Sequence, residues 1–196
     1  MLLVLILFVL AQFLNYEQIF VQEEIDRRKE RVEMQIHAEA VGRDGITIEV
    51  VSVDDLSQRI RVTGELVFEE CRDNLRPTGR ELLMALGTTL GRNQSFFESI
   101  QVEGHTDRQN PTGIVCRQAG IEDNWQLSAQ RATEVVRLFS SSEFFDAAQL
   151  SSVGRGEHHP LSNPADTTVT ALSSDRRIEI VLRYSQQGIF DGNSDD

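Results

Sequence analysis

The run "DNWQLSAQRATEVVRLF", residues 123–139, has the period of an amphipathic helix and one charge that breaks the pattern. Leu127, Val135, Leu138 and Phe139 fall at helical spacing and mark a stripe for burial. Arg131 lies four residues after Leu127 and four before Val135, on that same face. An apolar helix face needs a sheet or another helix to cover it. A guanidinium inside that face needs a reason.

Just upstream, "FFESIQVEGHTD" (96–107) reads as a strand ending at Gly104. Earlier still, "ITIEVVSV" (46–53) and "QRIRVTGELVF" (58–68) alternate and are rich in β-branched residues, as strands are. "LRPTGRELLMALGTTLG" (75–91) predicts a helix with Pro77 in its first turn, an apolar face of Leu82, Leu83 and Leu86, and a stop near Gly87 or Gly91. Downstream, "AQLSSVGRGEHHP" (148–160) and "SDRRIEIVLRY" (174–184) supply two last strands. The order β-α-β-α-β-β predicts an α/β fold, an α+β sandwich with helices on one face of a mixed sheet. In such a sheet the loop after a strand and the start of the next helix share a rim where ligands gather. Asp107 and Arg131 both project over that rim. From spacing alone the simpler reading is an internal Asp107–Arg131 ion pair; a cleft that keeps the guanidinium beside a carboxylate is the functional one.

The chain has 196 residues, with 19 Lys+Arg against 31 Asp+Glu and a formal charge of −12. Binding to a phosphate backbone draws on clustered basic side chains, so nucleic acid is excluded as a partner. The length suits one domain with an anchor and a connecting segment. In "MLLVLILFVLAQFL" (1–14) Gln12 is the only polar residue. Continued to Val21 as a helix, the run spans about 31 Å against a hydrocarbon core of about 30 Å, although it then includes Asn15, Glu17 and Gln18. No basic segment precedes it and no small-x-small site comes after it, so a retained transmembrane helix over residues 1–21 is expected, truncated at its start, instead of a cleaved signal peptide. "DRRKER" (26–31) would by the positive-inside tendency hold the C-terminal part of the chain in the cytoplasm. Residues 22–41 read as a helical linker. Its stripe of Val21, Ile25, Val32 and Ile36 either stays exposed or seams two copies into a homodimer. Residues 42–184 form the domain, and 185–196, ending in "DGNSDD", an acidic flexible tail.

Four motifs in order, "VEGHTD", "NWQLSAQRA" (124–132), "SVGRGEHHP" (152–160) and "DRRIEIVL" (175–182), resemble the OmpA/MotB family of peptidoglycan-binding domains over residues 64–183. "NWQLS" is similar to the flagellar stator, MotB-like branch, which includes anti-phage ZorB-type proteins. The resemblance implies an OmpA-like sheet and, as ligand, the peptidoglycan stem peptide, whose diaminopimelate carries both an ammonium and a carboxylate. By that resemblance Asp107 holds the ammonium and Arg131 the carboxylate. A guanidinium fork gives a carboxylate two parallel hydrogen bonds, which a lysine does not reproduce. Thr106, Asn124 and Leu127 match positions that line the same pocket, and Arg176 and Arg177 match paired arginines before the last strand. The chain departs from the pattern at Asp175, where the family commonly has Asn; a carboxylate cannot donate as an amide can. "RQNPTGIVCRQAGIED" (108–123) is longer than the family's usual connection and is expected to reshape the pocket's edge.

Other residues take plainer readings. His105 is expected to be structural, and Trp125 to pack at a helix start instead of offering a sugar platform. His158 and His159, adjacent in a strand, would point to opposite faces, so neither a metal nor a cofactor is expected. Cys71 and Cys116 lack metal-ligand neighbours, and sequence cannot place them within bridging distance; the reading favoured is two unbridged residues. No nucleophile elbow or H-E-x-x-H spacing occurs, so no enzymatic activity is expected. The resemblance implies a single-pass inner-membrane protein with a periplasmic, peptidoglycan-binding domain. Its partners would be the stem peptide, membrane lipid, a second copy and a multi-helix stator subunit. A stator needs an ionisable carboxylate within the membrane helix, and residues 1–14 contain none, which leaves a passive envelope linker as the alternative.

Overall fold

Alternating β-branched stretches from distant parts of the chain converge on one five-stranded sheet in the order β1-β2-β5-β3-β4. The computed structural model describes all residues except 41–44, 64–66, 142–144, 164, 188 and 190–196. Its elements are α1 (Leu2–Ala40), β1 (Thr47–Asp54), β2 (Ser57–Thr63), α2 (Pro77–Arg92), β3 (Phe97–His105), α3 (Ile114–Gln118), α4 (Asn124–Ser140), β4 (Leu150–Gly154), α5 (Val169–Asp175) and β5 (Arg177–Tyr184). β3 and β4 pair in parallel, and the other pairs are antiparallel. The sheet is therefore mixed, as the sequence predicted. The short helix α3 lies in the stretch read as a connection, α5 takes in Ser174 and Asp175 from the start of the stretch read as the last strand, and α2 runs past both Gly87 and Gly91 to Arg92.

The helix-facing side of the sheet carries Ile60, Val62, Ile100, Val102, Ile178, Ile180 and Leu182, all buried in one core with Leu82, Leu83, Leu86 and Leu90 of α2 and Val135 and Phe139 of α4. Asp123 caps α4 by accepting a hydrogen bond from the Gln126 backbone N–H at 2.7 Å, which fixes where the helix begins. Two glycines set how close that start comes to the sheet. A Cβ on Gly104 would lie 2.1 Å from the Ser128 carbonyl oxygen, and one on Gly154 2.8 Å from the Ala129 nitrogen. Only a residue without a side chain lets α4 settle so deeply against β3 and β4, and the first turns of α4 then project over the ends of the strands.

The linker expectation is corrected. Leu2–Ala40 is one helix of 39 residues, about 58 Å long at the usual rise. Its apolar first half is exposed, and its second half is docked on the domain. Ile25, Val32 and Ile36 are fully buried, and Val21 packs against the same core. The stripe is thus used within the chain and cannot also seam two copies. Lys29 shares the docked face, buried, with Nζ donating to the Asp54 carbonyl at 2.7 Å. The neighbouring Arg28 donates to the Ser185 carbonyl and lies 5.0 Å from the Phe96 ring centroid. The helix is long and apolar enough to cross a membrane over its first half. At the other end, Ile189 packs against the core, while most of the expected tail, 190–196, lies outside the described residues.

Candidate functional site

A cavity of about 450 Å³ opens at the rim where β3 ends, α4 begins and β5 starts, and Thr106, Asp107, Asn124, Leu127, Arg131, Arg176 and Arg177 all line it. The sequence motifs thus converge on one place, although the side chains play different parts there.

Asp107 is buried, and its Oδ1 accepts the Gln109 backbone N–H at 2.8 Å. Its Oδ2 accepts from Arg176 Nη1 at 2.6 Å. The simpler reading, an internal ion pair between Asp107 and Arg131, does not hold: the basic partner of Asp107 is Arg176. Topology explains the exchange. β5 inserts between β2 and β3, pairing His105 with Arg177, so Arg176 arrives beside the residue that leaves β3.

Arg131 makes no ion pair within 4.0 Å among the described residues. Its Nε donates to the Arg72 carbonyl at 3.0 Å and its Nη2 to the Glu69 carbonyl at 3.1 Å. The guanidinium carbon lies 5.1 Å from the centroid of the Phe68 ring, a cation–π distance. Burial pushes its pKa down to about 10; the Arg176 charge adds to that, and Asp107 and Asp73 oppose it. The group stays charged at neutral pH, held by neutral oxygens and a ring face. A cation placed this way can take an anionic partner into the cavity.

Thr106 Oγ1 is buried with no hydrogen-bond partner among the described residues, so it too has capacity for a ligand. Asn124 instead spends its amide on the chain, donating Nδ2 to the carbonyls of Asp107 and Gln109 at 3.2 Å each. Leu127 packs against Cys116 and Ile121 and forms apolar wall. Arg177, though at the cavity, has its donors engaged by Glu179 and by the carbonyls of Asp175 and His159.

Asp175 does not line the cavity. Its Oδ1 accepts the N–H groups of Leu161 and Ser162 at 2.7 and 2.9 Å, and its Oδ2 accepts the Ser162 hydroxyl at 2.7 Å. All three bonds need an acceptor, so a carboxylate suits the position. Asp175 thus anchors the loop at residues 161–162.

Sequence reasoning passed over the wall built by residues 67–76. Glu69 and Arg72 hold Arg131 through backbone carbonyls, and that chemistry leaves no mark on residue type. The expectation for the cysteines is corrected as well: Cys71 and Cys116 are joined in a disulfide, with Cα atoms 4.8 Å apart. This bridge ties the 67–76 wall to α3, inside the long connection that forms the opposite edge.

His105 also lines the cavity, and its Nε2 is 3.6 Å from Glu103 and 3.6 Å from Glu179, on the sheet face away from the helices. The ligand atoms of these three residues lie within 4.8 Å of one another. Guanidinium groups already occupy the carboxylates: Arg155 meets Glu103, and Arg59, Arg61 and Arg177 meet Glu179. A metal ion would have to displace them. His158 stacks on Trp125 with ring centroids 4.8 Å apart, and Trp125 is still 52% exposed, more open than a packing residue would be.

Comparison with known proteins places this rim in context. Two curated relatives from Bacillus subtilis match: the uncharacterised protein YtxE, 33% identical over 93 residues, and Motility protein B, 24% identical over 123 residues. The matches take in 47% and 63% of this chain and 36% and 44% of those proteins, so the chain corresponds to less than half of each relative's length. Among solved structures, a MotB-like protein from Desulfovibrio vulgaris superposes with a TM-score of 0.70 at 25% identity, covering 84% of this chain and 94% of that one. The cell wall anchor of the T6SS from Pseudomonas aeruginosa shares the fold, with a TM-score of 0.61 at 21% identity over 76% of this chain and 95% of that one. The OmpA family model matches residues 67–177, which takes in all the residues that line the cavity except Val62 and Ile178. By fold, motif order and family match, this chain belongs to the OmpA family.

Proposed function

We propose that the apolar half of α1 anchors this chain in the inner membrane and that the domain grips peptidoglycan noncovalently in the periplasm, as the wall-anchoring subunit of a MotB-like stator complex. The observation that carries the reading is the charge layout of the cavity, where the Asp107 carboxylate, paired with Arg176, and the Arg131 guanidinium, which makes no ion pair among the described residues, face one space. A stem peptide presenting an ammonium and a carboxylate matches both signs at once. The likeness to a MotB-like protein and to a cell wall anchor supports the same assignment. The disulfide favours an oxidising compartment, and so weighs against the cytoplasmic placement that residues 26–31 suggested. Partners in this reading are the diaminopimelate stem peptide, lipid around α1 and a multi-helix membrane subunit.

The test is a pull-down of the full chain, in detergent, by purified peptidoglycan sacculi. Asp107→Ala and Arg131→Ala are each expected to abolish retention while circular dichroism stays unchanged. Retention of both variants at the parent's level would refute the pocket assignment. The alternative reading is passive anchoring without ion transport. Ion flux measured with and without the multi-helix partner separates the two.

A further inference from the structure

We propose that the Cys71–Cys116 disulfide is a positioning device for Arg131, fixing the guanidinium in the orientation that accepts the ligand's carboxylate. The inference rests on the peptidoglycan-binding reading and names residues that reading does not use.

Arg131 gives its two hydrogen bonds to the Arg72 and Glu69 carbonyls, and the ring beneath it is Phe68. All three supports come from one short turn, and none of them is a charged group. The direction of the guanidinium is thus only as definite as the shape of that turn. Hydrogen bonds from Glu69 N–H to the Asn74 carbonyl and from Arg72 N–H to the Glu69 carbonyl shape its tip, and Arg76 closes its base, donating its backbone N–H to the Val67 carbonyl and its Nε to the Phe68 carbonyl. Cys71 sits between the two carbonyl-bearing residues with φ at 54°, in left-handed backbone that is uncommon for a residue with a Cβ. Val67 and Phe68 are buried in the core at its base, but from Glu69 to Arg76 the side chains are half-exposed or exposed, so the tip that carries the two carbonyls has little buried apolar area to keep it in place.

The disulfide supplies the missing constraint. Its other end, Cys116, is buried and packed with Ile121 and Leu127. Leu127 lies one helical turn before Arg131 on α4. The cross-link therefore closes a loop of contacts: α4 carries Arg131, Leu127 of the same helix packs on Cys116, the bridge crosses to Cys71, and the flanking carbonyls return to Arg131. The hydrogen bonds of Asn124 to the Asp107 and Gln109 carbonyls tie the same insertion to the strand end that bears the carboxylate. Both charged contacts of the site are thereby held in one frame. Holding a binding group in its bound geometry raises affinity by cutting the ordering cost at association.

The experiment uses the full chain in detergent, selectively labelled with ¹⁵N-arginine, as the parent and as the Cys71→Ser/Cys116→Ser double variant. A second comparison reduces the parent with dithiothreitol. Two quantities are read: affinity for the synthetic tripeptide L-Ala-γ-D-Glu-meso-diaminopimelate, and solvent-exchange protection of the Arg131 Nε–H signal, assigned through Arg131→Lys. The expected result is a loss of that protection and an affinity at least tenfold weaker, in a chain whose circular dichroism still shows the native fold. Unchanged affinity overturns the proposal. So does weakened affinity with the Nε–H signal intact, because the bridge would then act by some route other than Arg131. A parent that does not bind the tripeptide refutes the peptidoglycan reading instead, and the Nε–H comparison still decides whether the disulfide positions Arg131. If the double variant does not fold, the reduced parent supplies the same two readings.

Discussion

Whether α1 belongs to the domain or merely leads to it can be measured through a pair of substitutions on the same helix. Ile36 is fully buried against the core, whereas Met34, two residues earlier, is 67% exposed. Replacing Ile36 by Ala removes three carbons from the interior, a transfer cost of about 2.4 kcal/mol at about 0.8 kcal/mol per group. The cavity left behind adds to this, giving an expected loss of about 3 kcal/mol. Met34→Ala touches only solvent and should change stability by less than about 0.5 kcal/mol. For a chain of this size the difference corresponds to roughly 6–12 °C in melting midpoint. The assay is thermal and guanidinium unfolding of the full chain in detergent, followed by Trp125 fluorescence, which reports on the domain and not on α1. Equal midpoints for the two variants would show that the second half of α1 is not docked, and the reasoning that removes it from a dimer seam would fail.

Two further outcomes concern polar groups. Asp175→Asn keeps one oxygen and loses the acceptor of the Ser162 hydroxyl, so stability should fall by about 1–3 kcal/mol while tripeptide affinity, measured by titration calorimetry, stays at the parent value; weakened affinity at unchanged stability would make Asp175 a ligand contact after all. His105 is faced by Glu103, Glu179, Arg177 and the His159 ring, and its pKa lies below the ordinary 6.5, lowered by burial and by Arg177 against the opposing pull of the two carboxylates. Because the folded state binds that proton less readily than the unfolded chain, the stabilisation is complete above pH 6.5 and is lost as pH falls from there through the lower folded-state value. Melting midpoints should therefore begin to drop near pH 6.5, and His105→Gln should flatten that first decline. Despite burial, Glu103 is held below its usual range by His105 and Arg155, and Glu179 by Arg177; both contribute stability that disappears only on further acidification. An unaltered pH profile in the variant would remove His105 from the account.

Period and motif order sufficed for the elements that bury a continuous stripe. The alternation in residues 46–63 and 97–105 produced β1, β2 and β3, and Pro77 stands at the helix start it signalled. Asp107 and Arg131 were legible as rim residues because each lies just beyond a strand end or a helix start. The sequence also showed that residues 21–36 carry an apolar face; its period says that something covers it, and not what.

The amino-acid sequence by itself thus determined which faces are buried, which groups reach the rim and which ligand class the motifs resemble. Tertiary structure alone decided who pairs with whom. Arg176 meets Asp107 because β5 enters between β2 and β3, α1 closes on its own domain, and Cys71 reaches Cys116 across 45 residues of chain. The physical reason is that periodicity reports on neighbours a few residues away, whereas these contacts depend on how distant segments are brought together. Arg131 is the clearest case, since backbone carbonyls hold it, and every residue type has one to offer.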